Sequence, residues 1–358
     1  MQNGKTKLTI TRFMVPRIDH AGPFYGSDHV GIKFGAAYRV RTCKAIMEAV
    51  FVSLLNGVVY GLLLFMVSAG LTLVFGMMGV LNFAHGSFYM LGAYAAFAIS
   101  RYAGFVNGLI FGTIFIGVLG YLTETYLLRK VRRFGHTQEL LLTFGVAFAA
   151  TEVVSIVFGP YAMPYTVPHW LQFTLFTVGQ TTYPFYRIMI AGVAILMFVL
   201  LFLLLRLTRA GLVVRAAVRA PDMVAALGHN VPAIFSFLFA AGAALAGLAG
   251  AIGGAFYVTS PNIGAELGVM AFVIVVVGGI GSLGGALAAS ILIGVLINVT
   301  AAIDGTLGDL LNHLNLLQAR PLSGPLSVPL SATAGTIPFI LMLLMLLVRP
   351  SGLGGERR

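Results

Sequence analysis

Four stretches of the chain contain no Asp, Glu, Lys or Arg: Ala49 to Ser100, Val153 to Tyr186, Met223 to Ala265, and Leu267 to Ile303. Each is longer than the ~20 residues a helix needs to span the hydrocarbon core of a bilayer. A soluble fold of this length cannot keep so much continuous apolar surface out of water. Composition agrees, with 9% charged residues where soluble chains carry about 25%, and a mean hydropathy of +0.96. The expected fold is an all-α polytopic membrane protein.

Several function classes drop out on residue counts. Cys43 is the single cysteine, which leaves no intramolecular disulfide and no cysteine metal cluster. The seven histidines fall without HExxH or comparable spacing, so no metal and no cofactor are expected. A net charge of +11 is compatible with nucleic acid, but the basic residues sit at the edges of apolar segments. That is the pattern of cytoplasmic membrane loops, so no nucleic-acid partner is expected; membrane lipid is.

Residues 1–46 form a polar, basic tail with Lys5, Lys7, Arg12, Arg17, Lys33, Arg39, Arg41 and Lys44. It has no apolar core of a signal peptide. Two readings stand: a disordered tail or one lying on the inner leaflet, and a start-site artefact with translation beginning at Met47. Gly4-Lys5-Thr6 echoes the end of a phosphate-binding loop, but lacks the glycine that must precede it.

Basic clusters mark the cytoplasmic side. They occur in the tail, at Arg129-Lys130-Arg132-Arg133, at Arg206-Arg209-Arg215-Arg219, and at Arg349 with Arg357 and Arg358. Segments 159–185, 258–266 and 304–334 hold Arg320 against Glu266, Asp304 and Asp309, and are expected outside. Parity then demands an even number of crossings before Arg129. Four are expected, near 48–66, 68–80, 86–100 and 105–128, and six more near 138–158, 186–206, 232–257, 267–282, 284–303 and 335–349. The total is about ten transmembrane or half-spanning helices, or eight if short pieces fuse, with both termini cytoplasmic, and the transmembrane domain covers 47–354. Glycine-rich interruptions near 76–86 and 278–285 predict broken helices there. Backbone exposed at such depth is tolerated only against protein or a water-lined cavity, and paired interruptions in two halves of a chain point to a transport path.

Asn82-Phe83-Ala84-His85-Gly86, after Val74-Phe75-Gly76 and before Tyr89-Met90-Leu91-Gly92-Ala93-Tyr94, resembles the signature of the branched-chain amino acid permeases of LivH type. Gly278-Gly279-Ile280-Gly281-Ser282-Leu283-Gly284-Gly285-Ala286 is similar to a second signature of that family. So are Leu140-Leu141-Leu142-Thr143-Phe144-Gly145 and the ending Arg349-Pro350-Ser351-Gly352-Leu353. The likeness covers roughly 47–354. One departure is Ser87, where family members often carry Glu or Asp.

The resemblance implies the permease subunit of an ABC importer in the bacterial inner membrane. Its partners would be two ATP-binding subunits, a second LivM-like permease and a periplasmic solute-binding protein. The solute would be a branched-chain amino acid or a similar small amphipathic molecule; urea and amide importers use closely similar permeases. The resemblance places the translocation path near Asn82, His85, Gly279, Gly281 and Ser282. Asn82 and His85 are also buried polar groups that need partners, so a capping role in a broken helix is the competing reading.

Loop 207–231 is the second informative region. Within it Pro221-Asp222-Met223-Val224-Ala225-Ala226-Leu227-Gly228 reads as a short helix, with proline at the first position, Asp in the first turn and glycine at the exit. Met223, Val224 and Leu227 are expected to dock, and in importers of the resembled kind an equivalent loop couples to the ATP-binding subunit. The same pattern suits a helix resting on lipid. Arg215 and Arg219, one turn apart, either pair with acids on the partner or simply serve the positive-inside bias.

Gly242, Ala246, Gly250 and Gly254 put a small residue at every fourth position of one crossing, a stripe that admits a close neighbour. Packing within the subunit is favoured over a permease–permease interface, and Gly57 and Gly61 repeat the theme. Glu152 lies inside a crossing, where acids are functional candidates, but it is close enough to the helix end to snorkel. Glu124 and Glu139 are expected to pair with basic cluster 129–133, and Asn298 and Thr143 to bond to their own helices. The rival function is an ion-gradient-driven secondary transporter, for which only Glu152 and His85 offer coupling groups. A membrane enzyme is disfavoured for want of a catalytic cluster, and with no Walker A sequence ATP hydrolysis falls to other chains.

Overall fold

The computed structural model describes residues 31–79, 82–178, 181–303, 305–306 and 328–355, with 31–46 described by backbone alone. The chain divides into two units, Met1–Ala45 and Ile46–Arg358. Of the first, residues 31–45 are helical. The expectations placed on tail residues 1–30, on the side chains of 31–46 including Cys43, on Asp304, Asp309 and Arg320, and on Arg357 and Arg358 lie outside the described residues. Everything below concerns the second unit.

The helices are α1 (Gly31–Met78), α2 (His85–Ala103) and α3 (Phe105–Leu122). The last runs through a π-helical turn, Thr123–Leu128, into α4 (Arg129–Arg132). Then follow α5 (His136–Phe158), α6 (Phe185–Leu207), α7 (Arg209–Arg219), α8 (Pro221–Ala226) and α9 (Val231–Phe256). The last are α10 (Ile263–Gly278), α11 (Leu283–Ala301) and α12 (Ile337–Val348), which short turns Leu330–Thr333 and Ala334–Thr336 precede. Seven helical stretches are long and apolar enough to cross a bilayer, and α2 and α10 join them in the bundle. The chain is therefore a multi-pass, all-α membrane protein.

One expectation needs correction. The crossings placed at 48–66 and 68–80 are one uninterrupted helix, Met47–Met78. That leaves nine long helices among the described residues, in keeping with a count of about ten, but three of them, an odd number, before Arg129. The sequence holds nothing at residue 67 that breaks a helix. Segment 159–185, expected outside, carries an antiparallel hairpin of β1 (Thr174–Val178) and β2 (Thr181–Pro184). Its register pairs Phe176 with Tyr183 and Val178 with Thr181, and the Phe176 and Tyr183 rings stack at 5.2 Å.

α1 is the centre of the bundle: 83% of its apolar window is buried, against 11% for α5 and for the stretch ending in α12. Close approach by backbone makes this possible. A Cβ on Gly57 would lie 2.6 Å from Val295 Cα, and one on Gly61 2.7 Å from Ile291 Cα, so α1 and α11 touch along their glycines. Phe65 meets Phe198 of α6 edge-on at 5.7 Å. α2 and α3 reverse direction at the single residue Gly104, whose φ of +87° few other residues adopt. The outward faces of α3, α5, α6 and α12 carry exposed Ile, Leu, Val and Phe, the surface expected of helices that meet lipid.

Contacts assign the helix ends to two sides. At one end Met78 of α1 packs against the apolar cluster that includes Leu128 and Phe239, Ser236 of α9 meets Arg129, and Leu353 N donates to Val277 O of α10 at 2.9 Å. At the other, Asn56 of α1 meets Tyr183 and Arg187. There Tyr186 OH donates to Ile252 O of α9 at 2.7 Å and Tyr165 OH to Ala251 O at 3.1 Å. α1 thus runs from the hairpin end to the end that carries Arg129.

Candidate functional site

The two helix breaks are built alike. α1 stops at Met78, and Gly79 turns the chain with φ +67° while its N–H donates to Phe75 O at 3.0 Å. Asn82 Oδ1 accepts from Ala84 N at 3.0 Å, and its carbonyl accepts from His85 N at 3.2 Å. Its amide therefore organises the turn that leads into α2, as asparagines in tight turns do. At the second break α10 stops at Gly278, Gly279 and Gly281 take φ of +94° and +78°, and Ser282 Oγ caps α11 by accepting from Gly285 N at 3.0 Å. Carbonyls left free at the end of α10 are filled by the chain's last described segment: Leu353 N donates to Val277 O and Gly354 N to Gly278 O, both at 2.9 Å.

The breaks meet along α1 at different heights. A Cβ on Gly76 would collide with Gly281 Cα, so these backbones are in direct contact. Gly279 is buried beneath Ser351 and Gly355, whereas Gly281 is exposed. His85 sits higher, with Nε2 2.9 Å from Val67 O. A carbonyl only accepts, so that nitrogen carries the proton, and Nδ1, buried and without a partner among the described residues, is a bare acceptor. Val67 and Gly76 are about 13 Å apart along the helix axis, which separates His85 from Gly279, Gly281 and Ser282. Phe83 N donates to Thr143 Oγ1 of α5 at 3.3 Å, and Ser87 is buried beside Gly264.

Glu124, fully buried in the π-helical turn, gathers a charged cluster. Arg129 reaches it at 3.3 Å and Arg132 at 3.7 Å. Ser236 of α9 bonds both Glu124 and Arg129, and Arg129 also donates to Pro232 O at 3.0 Å. Arg132 Nε donates to Glu139 of α5 at 3.2 Å and its guanidinium lies over the Phe235 ring at 5.6 Å. The cluster clamps the ends of α3, α5 and α9 together. Sequence reading paired the acids with the basic run but had no sign of Ser236, which lies 112 positions from Glu124.

Loop 207–231 holds α7 and α8 next to that clamp. Thr208 caps α7 by accepting from Gly211 N at 3.1 Å. α8 starts at Pro221 with Asp222 in its first turn, and Gly228 leaves it with φ +88°. Val224 does not point outward with its neighbours: it is buried with Ala217 and Val231, so its apolar surface is used inside the loop. Met223 and Leu227 are 69% and 78% exposed. Arg215 is half-buried and Arg219 exposed, and neither forms an ion pair among the described residues.

The small-residue stripe of α9 faces α1 and α2. Gly242 abuts Gly70 and Val74, Gly250 abuts the Tyr89 carbonyl, Gly254 abuts Ala93, and Ala246 is fully buried. Asn298 Nδ2 donates to Gly294 O of its own helix at 3.0 Å. Glu152 is exposed on α5.

A residue missed altogether is Arg187, the only Lys or Arg between Arg133 and Arg206; that isolation was its signal. Its guanidinium bonds Asn56 Oδ1 and lies over the Tyr183 and Phe256 rings at 5.3 and 5.5 Å. Tyr183 OH donates to the same Asn56 oxygen at 2.9 Å. Burial raises the Tyr183 phenol above its ordinary pKa, although Arg187 pulls it down, so at neutral pH it keeps the proton it donates.

A family model described as branched-chain amino acid transport system / permease component matches residues 53–346. The high-affinity branched-chain amino acid transport system permease protein LivH of Salmonella typhimurium is 28% identical over 321 residues, 84% of this chain and 94% of that protein. The corresponding permease protein BraD of Pseudomonas aeruginosa is 30% identical over 259 residues, covering 68% and 83%. A probable branched-chain amino acid transport permease protein LivH of Methanocaldococcus jannaschii is 27% identical over 250 residues, covering 67% and 78%. No solved structure matches the chain.

Proposed function

Because the chain belongs to the family of branched-chain amino acid transport system permease components, we propose that it is the permease subunit of an ABC importer. It carries branched-chain amino acids or a similar small amphipathic solute across the bacterial inner membrane, driven by ATP hydrolysis in partner subunits. Two ATP-binding subunits, a second LivM-like permease and a periplasmic solute-binding protein complete the assembly. The observation that carries this reading, beyond membership, is α8: Met223 and Leu227 stand exposed on a short helix tied to the α9 entrance. Two apolar side chains presented on a rigid turn suit a groove in another subunit. Arg215, Arg219, Asp222 and Gly228 frame that contact, while Val224 anchors the helix from behind.

The positive-inside rule assigns the end with Arg129–Arg133, Arg206–Arg219 and Arg349 to the cytoplasm. The described C-terminal segment is then cytoplasmic, whereas Met47, at the start of the helix that reaches Asn56, lies toward the outer face, which departs from the cytoplasmic N-terminus that the basic tail led us to expect. Asn82, His85, Gly279, Gly281 and Ser282 are assigned to the path or to the joints that shape it.

Copurification tests the proposal. A C-terminally tagged chain drawn from its native membrane should bring two ATPases and a second permease, and Leu227→Asp should release the ATPases without lowering the yield of the permease. Recovery of the chain alone, with ion-gradient-driven uptake in liposomes, would overturn the ABC reading in favour of secondary transport.

A further inference from the structure

At the end of the bundle opposite α8, the hairpin, the start of α6 and the end of α9 line an open cavity of about 290 Å³, near the lower limit for small-molecule sites. Arg187 lines it, together with Tyr186, Pro184, Ala255 and Phe256 as apolar wall and Gln172 on the polar side. Arg187 forms no ion pair among the described residues, and its Nε is buried without a hydrogen-bond partner. An arginine without a counter-anion at the edge of an apolar bundle is costly unless something supplies one. It is also held still: Asn56 fixes one nitrogen and two rings flank the plane, so it is not free to reach the headgroups. A fixed guanidinium is a fork that fits a carboxylate. Gln172 Nε2 is spent on Val167 O, which leaves its carbonyl oxygen as an acceptor for an ammonium.

We propose that this cavity binds a small zwitterion, its carboxylate on Arg187, its ammonium toward Gln172 and an apolar side chain against Phe256, Ala255 and Pro184. The inference rests on the amino-acid transport reading and adds to it a solute site on the permease itself, at the face where solute enters.

The test uses the full chain with its copurifying subunits in nanodiscs, without any binding protein, and titrates L-leucine against leucinol, which lacks the carboxylate. Wild type should prefer leucine by roughly tenfold or more, as sites built for a charged partner do. Arg187→Gln should abolish that preference, and Arg187→Lys should restore part of it. Thr166→Trp, on an exposed loop residue that lines the cavity without touching the Asn56 contacts, should weaken both ligands. Equal binding of leucine and leucinol by wild type, or an unaltered preference in Arg187→Gln, overturns the site. ATP-driven leucine uptake that survives Arg187→Gln and Thr166→Trp unchanged sinks the site and leaves the transport reading standing. Carboxylate-selective binding without any uptake does the reverse.

Discussion

At the residue scale the chain's few buried charges are spent on joints. Glu124 side-chain exposure is 1%, while the arginines that reach it are 38% and 31% exposed. The acid is therefore the fixed centre and the arginines are its adjustable partners. Replacing Glu124 by Ala removes the shared acceptor of the cluster, leaving Arg129 with Pro232 O and Ser236, and Arg132 with Glu139. The expected cost is on the order of 3 kcal/mol, read as a lower unfolding temperature of the purified chain. Glu124→Gln keeps an acceptor for Ser236 and should lose less. A π-helical turn inserts one extra residue per turn and is often kept for the side chain it re-aims; here it turns Glu124 toward α9. Sequence reading saw the charges at this scale but not their partners. Arg187 and Asn56 are 131 positions apart, and no local pattern links an amide in one apolar run to an arginine at the edge of another.

Elements were far more legible, and the reasons differ between them. Charge-free runs announce helices because lipid demands them, and the breaks at 76–86 and 278–285 are visible since glycine clusters both stop a helix and permit close contact. What stayed hidden is that the breaks touch, and that Ser351–Gly355 supplies the donors that α10 leaves wanting. Length misled at α1. A 32-residue helix is about 46 Å long, more than a bilayer requires, so dividing it looked economical. Burial on every side also erases the periodicity that would have marked it as one element. The contact of Gly76 with Gly281 gives an element-scale prediction. Gly76→Ala places a methyl group inside the Gly281 backbone and should destabilise by about 1–3 kcal/mol. Gly192→Ala on α6, where nothing lies within 4 Å, should be neutral or stabilise by up to about 1 kcal/mol. Thermal unfolding of the two variants side by side checks both, and equal behaviour would remove the packing argument.

For the whole molecule, the two ends of the bundle have different work: one presents α8 and the charged clamp, the other the hairpin and Arg187. With Cys43 replaced, a membrane-impermeant thiol reagent should label Thr166→Cys in sealed right-side-out vesicles and label Leu227→Cys only after the membrane is opened. The reverse pattern would invert the assigned orientation. The overall class was plain from the uncharged runs alone, but which helix lies at the centre was not, since nothing in the order of a chain says what will be packed around its first long helix. That centrality has a consequence for how the protein is made. α1 leaves the ribosome first, yet its neighbours at Gly242, Ile291 and Val295 come some 170 to 240 residues later, about 10–50 s at ordinary rates of synthesis. Throughout that wait the faces it will turn to α9 and α11 have lipid for company. Its polar residues are prepared for this: Ser53 bonds Ala49 O, Ser68 bonds Phe65 O and Thr72 bonds Ser68 O, each within the helix itself. Asn56, near the outer end, waits for Tyr183 and Arg187 to arrive, and Tyr60 for the Tyr257 ring. The core of this protein must first live as its surface, and its sequence satisfies both conditions.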